Sequence, residues 1–185
     1  MLEIAALGLL QRDSLHGYRL KQELELFMSS CISVNYGTIY PLLKRLEQQG
    51  AITISKEQME GSSRKVYQIT QQGQELWKTL MMEHPQESWV NARSRFMIKF
   101  FFFSHLEPAE RLKLLNHRLM VCHLRLETVE KQKIEQTSID PYQTAVWQHC
   151  STTLYLDIEW LQKTIEHEST SLNQLNRSSP MGGVS

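Results

Sequence analysis

Apolar residues at Leu2, Ala5, Ala6, Leu9 and Leu10 recur at helical spacing before the polar run Gln11-Arg12-Asp13-Ser14 interrupts them. The pattern predicts a first helix followed by a turn. Asp13 or Ser14 can cap a second helix, because either side chain accepts from free first-turn amides. Its apolar face is Leu15, Tyr18, Leu20, Leu24 and Phe27, Gly17 permits close approach of a neighbour, and the end falls near Met28. After Ser29-Ser30 a third helix is expected to begin at Ser33 or Asn35, with Ile39, Leu42, Leu43 and Leu46 inward and Gly50 as a left-handed stop. Pro41 lacks an amide, which predicts a kink or a tightened first turn at that point.

Beyond Gly50 the period drops to two. Ile52 and Ile54 point one way and Thr53 and Ser55 the other; Val66 and Gln68 then alternate with Tyr67 and Ile69. Two strands are predicted, joined by a mobile loop over residues 56–65 in which Gly61-Ser62-Ser63 supplies the turn chemistry. Thr70 caps a further helix with Leu76, Trp77, Leu80 and Met81 inward, ending before His84-Pro85.

Glu107-Pro108-Ala109-Glu110 reads as a helix start, with proline near the first position and acids where the helix dipole favours them. Leu112, Leu115, Leu119, Cys122, Leu126 and Val129 follow at alternating steps of three and four, a seam of nearly three heptads. Ser138-Ile139-Asp140-Pro141 breaks that helix, and Trp147, Leu154, Ile158, Leu161 and Ile165 form the stripe of a second long one. Such stripes need a partner to bury them. The polar end, with Pro180 and Gly182-Gly183, is expected to be a disordered tail over 171–185.

Composition narrows the chemistry. The 185 residues carry 20 Lys plus Arg against 20 Asp plus Glu, with 41% hydrophobic and 22% charged, which is ordinary globular usage. The longest nearly apolar run, Phe96 to Phe103, is interrupted by Lys99 and falls far short of the roughly 20 residues that a spanning helix needs. Met1 to Leu10 has Glu3 and no basic segment, so a cytosolic protein without membrane contact is expected. Cys31, Cys122 and Cys150 are widely spaced, and the seven histidines form no ligand pattern, so neither a disulfide framework nor a metal site is expected. No nucleophile elbow, Walker loop or dinucleotide fingerprint is present, and the reading is that of a non-enzyme without a cofactor. Charge is more informative locally: residues 31–70 hold five bases against three acids, a net +2 that permits a positive surface there.

The order helix, helix, helix, strand, strand, helix is that of a winged helix-turn-helix, whose third helix enters the major groove while the hairpin wing lies along the backbone or minor groove. Four blocks sharpen this: Leu7-Gly8-Leu9-Leu10, Leu15-His16-Gly17-Tyr18, the run from Gly37 through Tyr40-Pro41 to Gly50, and Arg64-Lys65-Val66-Tyr67-Gln68-Ile69-Thr70 with Gly73. Over residues 1–82 the chain resembles the PadR family of bacterial transcriptional regulators. The region 88–170 resembles the C-terminal helical module of the longer-tailed subgroup, which includes virulence activators of the AphA type.

The fold expected is thus mainly α with a small β-hairpin: a winged helix-turn-helix at 1–84, a long-helix dimerisation domain at 85–170 and the tail. Candidate DNA-binding residues are Tyr18, Ser33, Asn35, Tyr36, Thr38, Tyr40, Lys44, Arg64 and Lys65. Hydroxyls and amides on the reading helix can meet phosphates or base edges, and the wing cations can meet phosphates. The competing readings are capping for Asn35 and Thr38, half-buried packing for Tyr40, and an ion pair with Glu47 or another neighbour for Arg45. His16 more readily fixes the packing of the second helix. Candidate dimerisation residues are Leu112, Leu115, Leu119, Cys122, Leu126, Val129, Trp147, Leu154, Ile158 and Leu161.

The resemblance implies a homodimeric repressor on double-stranded DNA, its operator pseudo-palindromic, with a small aromatic effector as the further ligand. Core packing is the preferred reading of Trp89, Phe96, Trp147 and Trp160, with pocket walls for such an effector as the alternative. The other function classes that the sequence permits are a protein-interaction adaptor and a ligand or redox sensor using Cys122.

Overall fold

The first apolar stretch folds as α1 (Leu2–Leu9), all but surrounded by protein: Ile4 through Leu9 are buried. The computed structural model describes residues 1–29, 38–59, 62–135 and 140–178, which divide into two units, Met1–His105 and Leu106–Ser185. Helices dominate, with a small antiparallel sheet beside them.

One expectation fails immediately after the turn. Leu15 and His16 are not the first residues of a helix but a two-residue strand, β1, and α2 runs Gly17–Ser29. α3 spans Ile39–Gln48; the predicted start at Ser33 or Asn35 lies outside the described residues. Pro41 is the third residue of α3, where a backbone amide has no intrahelical acceptor, so it costs the helix nothing. Gly50 has φ +70°. Its amide donates to Glu47 and that of Ala51 to Leu46, both at 2.9 Å, the paired bonds by which a left-handed residue closes a helix.

β2 (Ile52–Met59) and β3 (Ser62–Ile69) are longer than the alternation suggested. Residues 56–59 and 62–65, read from sequence as a loop, are paired strand from Lys56 opposite Lys65 to Met59 opposite Ser62. The described strands form one sheet in the order β1–β3–β2, with Leu15 opposite Tyr67 and His16 opposite Val66. Thr70 then caps α4 (Gln71–Met82) as expected: its Oγ1 accepts from the Gly73 amide at 3.0 Å and donates to the Gly50 carbonyl at 2.6 Å. One hydroxyl therefore joins the end of α3 to the start of α4.

The first compact unit runs on to His105, past the 84/85 boundary expected for the DNA-binding domain. α5 (Trp89–Phe101) and the tight turn Phe103–His105 belong to the first unit because of the Phe-rich run. Phe102 is fully buried with its ring over Gly8, where an added Cβ would lie 2.7–2.8 Å from three ring carbons. Trp77 meets the Phe102 ring edge-on at 6.4 Å and donates from Nε1 to the Ile4 carbonyl at 3.2 Å. Phe96 and Phe103 are also buried, so the packing reading of this run holds for them, while Phe101 is exposed with the Arg12 guanidinium 5.8 Å from its ring centre.

Lys99 is buried on α5, its Nζ donating to the Glu83 carbonyl at the end of α4. Burial first, and Arg95 next, pull its pKa down to about 8, against the opposing pull of Glu83 and Glu87. Between that value and the ordinary 10.5 the unfolded chain holds a proton that the folded chain has lost, so this group's contribution to stability rises with pH across the window. Unfolding of parent and Lys99→Met should therefore show the parent gaining on the variant from about pH 8 to about pH 10.5. A gap that stays constant would refute the assignment.

In the second unit, α6 (Pro108–Glu135) and α7 (Pro141–Ser178) are joined by five residues and pack against each other as an antiparallel pair. α7 continues past residue 170, where the tail was expected to begin. Glu110 accepts from the Glu107 amide at 3.1 Å and Asp140 from that of Tyr142 at 2.8 Å, so both helices start on acids. Leu115, Cys122 and Val129 of α6 and Leu154, Ile158 and Leu161 of α7 are buried within the single chain. The heptad seam read as a contact between subunits closes inside one chain. Leu112, Leu119, Leu126 and Trp147 beside it are half-buried, and Arg111 Nε pairs with Glu168 at 3.0 Å across the two helices. No helix among the described residues is long and apolar enough to cross a membrane.

Candidate nucleic-acid interface

Leu20 and Leu24 turn α2 toward the core, which leaves the residues of its first turn facing outward. α3 is anchored the same way by Ile39, Leu42, Leu43 and Leu46, so Tyr40 and Lys44 lie on its outer side. β3 brings Lys65 to the surface between them. These three elements converge on a groove of about 620 Å3 lined by His16, Gly17, Tyr18, Arg19, Tyr40, Lys65 and Tyr67.

Tyr18 is 69% exposed and Tyr40 54%, so the half-buried packing role considered for Tyr40 is not what this side chain does. The Tyr18 hydroxyl accepts from Gln22 Nε2 at 3.2 Å. Arg19 Nε lies 3.1 Å from Glu23 one turn on, an exposed pair that is weak in water. Tyr67 is the buried member, its ring edge against Gly17, where a Cβ would meet Cε2 at 3.0 Å. Burial, then Tyr40 and Glu47, push the Tyr67 phenol above its usual pKa, so it stays protonated at neutral pH.

The structure thus brings together Tyr18, Tyr40 and Lys65 from the sequence-derived set and adds Arg19 and Tyr67, which sequence reasoning missed. Thr38 precedes α3, is exposed, and its hydroxyl does not cap the helix. It lies on the opposite flank of α3, in a second groove of about 480 Å3 with Glu3, Pro41 and Arg45. Arg45 pairs with Glu3 of α1 at 3.1 Å rather than with Glu47. Ser33, Asn35 and Tyr36 lie outside the described residues. Arg64 stands opposite Glu57 in the sheet and Lys65 opposite Lys56. The register therefore puts Lys56 on the wing as well, at a position that the alternation pattern had given to a loop.

The proposed effector walls do not gather within either unit: Trp89 and Phe96 belong to the first, Trp147 and Trp160 to the second. Phe96 is buried against Phe100 and Phe103 at ring separations of 6.1 and 6.3 Å.

Residues 6–79 match the model of the transcriptional regulator PadR-like family. The chain is 30% identical over 133 residues to the negative transcriptional regulator PadR of Bacillus subtilis (strain 168), covering 70% of this chain and 71% of the relative. The chain belongs to the PadR family. Among solved structures it is similar to Bacillus subtilis PadR in complex with operator DNA, at 23% identity, TM-score 0.44 and coverage of 90% of this chain and 98% of that one. The same protein in complex with p-coumaric acid matches at 22% identity, TM-score 0.42 and 91% and 98% coverage. As a PadR-like protein, the chain is a transcriptional regulator, and the tyrosine-walled groove lies within the matched region.

Proposed function

We propose that this PadR-family regulator is a homodimeric repressor that holds the backbone of a pseudo-palindromic operator with α2, α3 and the wing of each subunit. The observation that carries the reading is the convergence of Tyr18, Tyr40 and Lys65 from three separate elements on one exposed groove. Phosphate contacts from Lys65, with Lys44 on the outer side of α3, supply salt-dependent affinity. Asn35 and Tyr36, just ahead of α3 in the chain, supply part of the base reading, while Thr38 lines the groove on the other flank of α3. Repression follows the negative role in the name of its Bacillus subtilis relative. The signal in this reading is a small aromatic effector, the ligand class that the family resemblance implies.

The test is fluorescence anisotropy on the DNA upstream of the protein's own gene and on a scrambled duplex, titrated at several salt concentrations. Tight binding to the native duplex with a log-log slope of several charges supports the regulator; equal weak binding to both duplexes favours the adaptor. Arg64→Ala with Lys65→Ala should weaken binding to both duplexes alike and lower the slope by about 0.9 for each phosphate that is no longer neutralised. Because Lys65 lines the groove, Lys65→Ala alone should already lower the slope. An unchanged slope in the double variant would remove the wing from the interface.

A further inference from the structure

The groove has a floor as well as a rim. Tyr67 lines the groove while almost entirely buried, and it touches or adjoins each element that supplies an exposed side chain there. Its ring edge rests on the backbone of Gly17, the first residue of α2. Its backbone pairs with Leu15, so β1 hands directly into α2 with no intervening linker. Lys65 is two residues before it on the same strand, and Tyr40 lies beside it in the groove.

We infer that Tyr67 is a positioning residue for DNA binding: it locks the wing to the start of α2 so that Tyr18, Arg19 and Lys65 meet the DNA backbone as one rigid set. This rests on the DNA reading above. The argument is geometric. A two-residue strand pair is a weak tether by itself, and a wing of two strands has little core of its own. The ring filling the space under Gly17 converts that tether into a fixed spacing. A Cβ at position 17 would lie 3.0 Å from the ring edge, so any side chain there pushes on the ring. Phosphate contacts act together only when their spacing matches the duplex, so a loosened floor weakens DNA binding and not merely stability.

The experiment uses the full-length chain at a temperature where circular dichroism shows each variant folded. Tyr67→Ala should lower affinity for the native duplex at least tenfold and flatten the salt slope by about the two charges of Arg19 and Lys65. Tyr67→Phe, which keeps the ring, should restore both to within about threefold of the parent. Gly17→Ala, which pushes on the same ring from the other side, should shift slope and affinity in the same direction as Tyr67→Ala, and it serves if Tyr67→Ala does not fold. Hydrogen exchange should quicken at residues 15–18 in Tyr67→Ala and not in Tyr67→Phe. A purely structural role would lower the melting temperature and leave the slope of the folded protein unchanged, and that result overturns the inference while the DNA reading stands. Absence of salt-dependent binding by the parent protein overturns both.

Discussion

Gly73→Ala is expected to destabilise the first unit by about 3 kcal/mol or more, although alanine is the better helix former by about 1 kcal/mol. Gly73 is the third residue of α4, and a Cβ there would lie 2.0 Å from the carbonyl oxygen of Ala51 and 2.8 Å from Ile69 Cγ1. The carbonyl cannot step aside, because it accepts from the Thr70 amide at 3.1 Å and belongs to the corner between α3 and β2. Relief would have to move α4 away from the sheet. That would break the Thr70 cap and pull on Trp77, whose indole bonds α1. Gly8→Ala is a milder version, since its obstacle is the ring of Phe102 rather than backbone, and about 1–3 kcal/mol is expected there. Urea unfolding of both variants, with exposed Gln74→Ala as control, checks the order. A Gly73→Ala protein as stable as the parent would show that α4 does not sit where the structure puts it.

The two glycines show where local reading stops. α3, its Gly50 stop and the Thr70 cap were legible because each is decided within a few residues of chain. β1 was not: two residues have no period, and their strand character comes wholly from pairing with Val66 and Tyr67, far along the chain. The far half of the hairpin was read as loop because Lys56 to Lys65 is mostly polar. The backbone register shows the pairing that the side-chain pattern does not, from Lys56 opposite Lys65 to Met59 opposite Ser62. The Phe96–Phe103 run announced burial but not its address, since the match between Phe102 and Gly8 is visible only when α5 lies beside α1. In the site, motif blocks pointed to Tyr18, Tyr40 and Lys65, while Tyr67 was passed over as one member of an alternating strand. Alternation assigns one face inward, and here Val66 and Tyr67 are both buried, on opposite faces. The heptads of α6 and α7 located a stripe without saying whose stripe fills it.

That last ambiguity sets the second large effect expected, in Leu156→Glu with Trp160→Glu. With Leu154, Ile158 and Leu161 turned toward α6, residues two positions along from them fall about 200° around the helix and face away. Tyr142, Val146, His149, Thr153, Leu156 and Trp160 recur there at steps of four and three, a second heptad stripe. Tyr142, Val146, Leu156 and Trp160 on it are exposed, Leu156 to 61%. With this stripe taken as the contact of the homodimer proposed above, the double variant puts four glutamates into one two-fold interface, which repels itself. The double variant should fold, because both side chains are exposed in the single chain, and should sediment near the monomer mass of 21.7 kDa at micromolar concentration. A monomer cannot engage both half-sites at once, so operator affinity should fall on the order of 10²–10⁴-fold. Half-site binding would persist with its own smaller salt slope. Leu154→Glu, on the buried stripe, should instead melt the α6–α7 pair. A Leu156→Glu, Trp160→Glu protein that remains dimeric would place the dimer contact elsewhere, with exposed Met120 and Leu124 of α6 as the next surface to test.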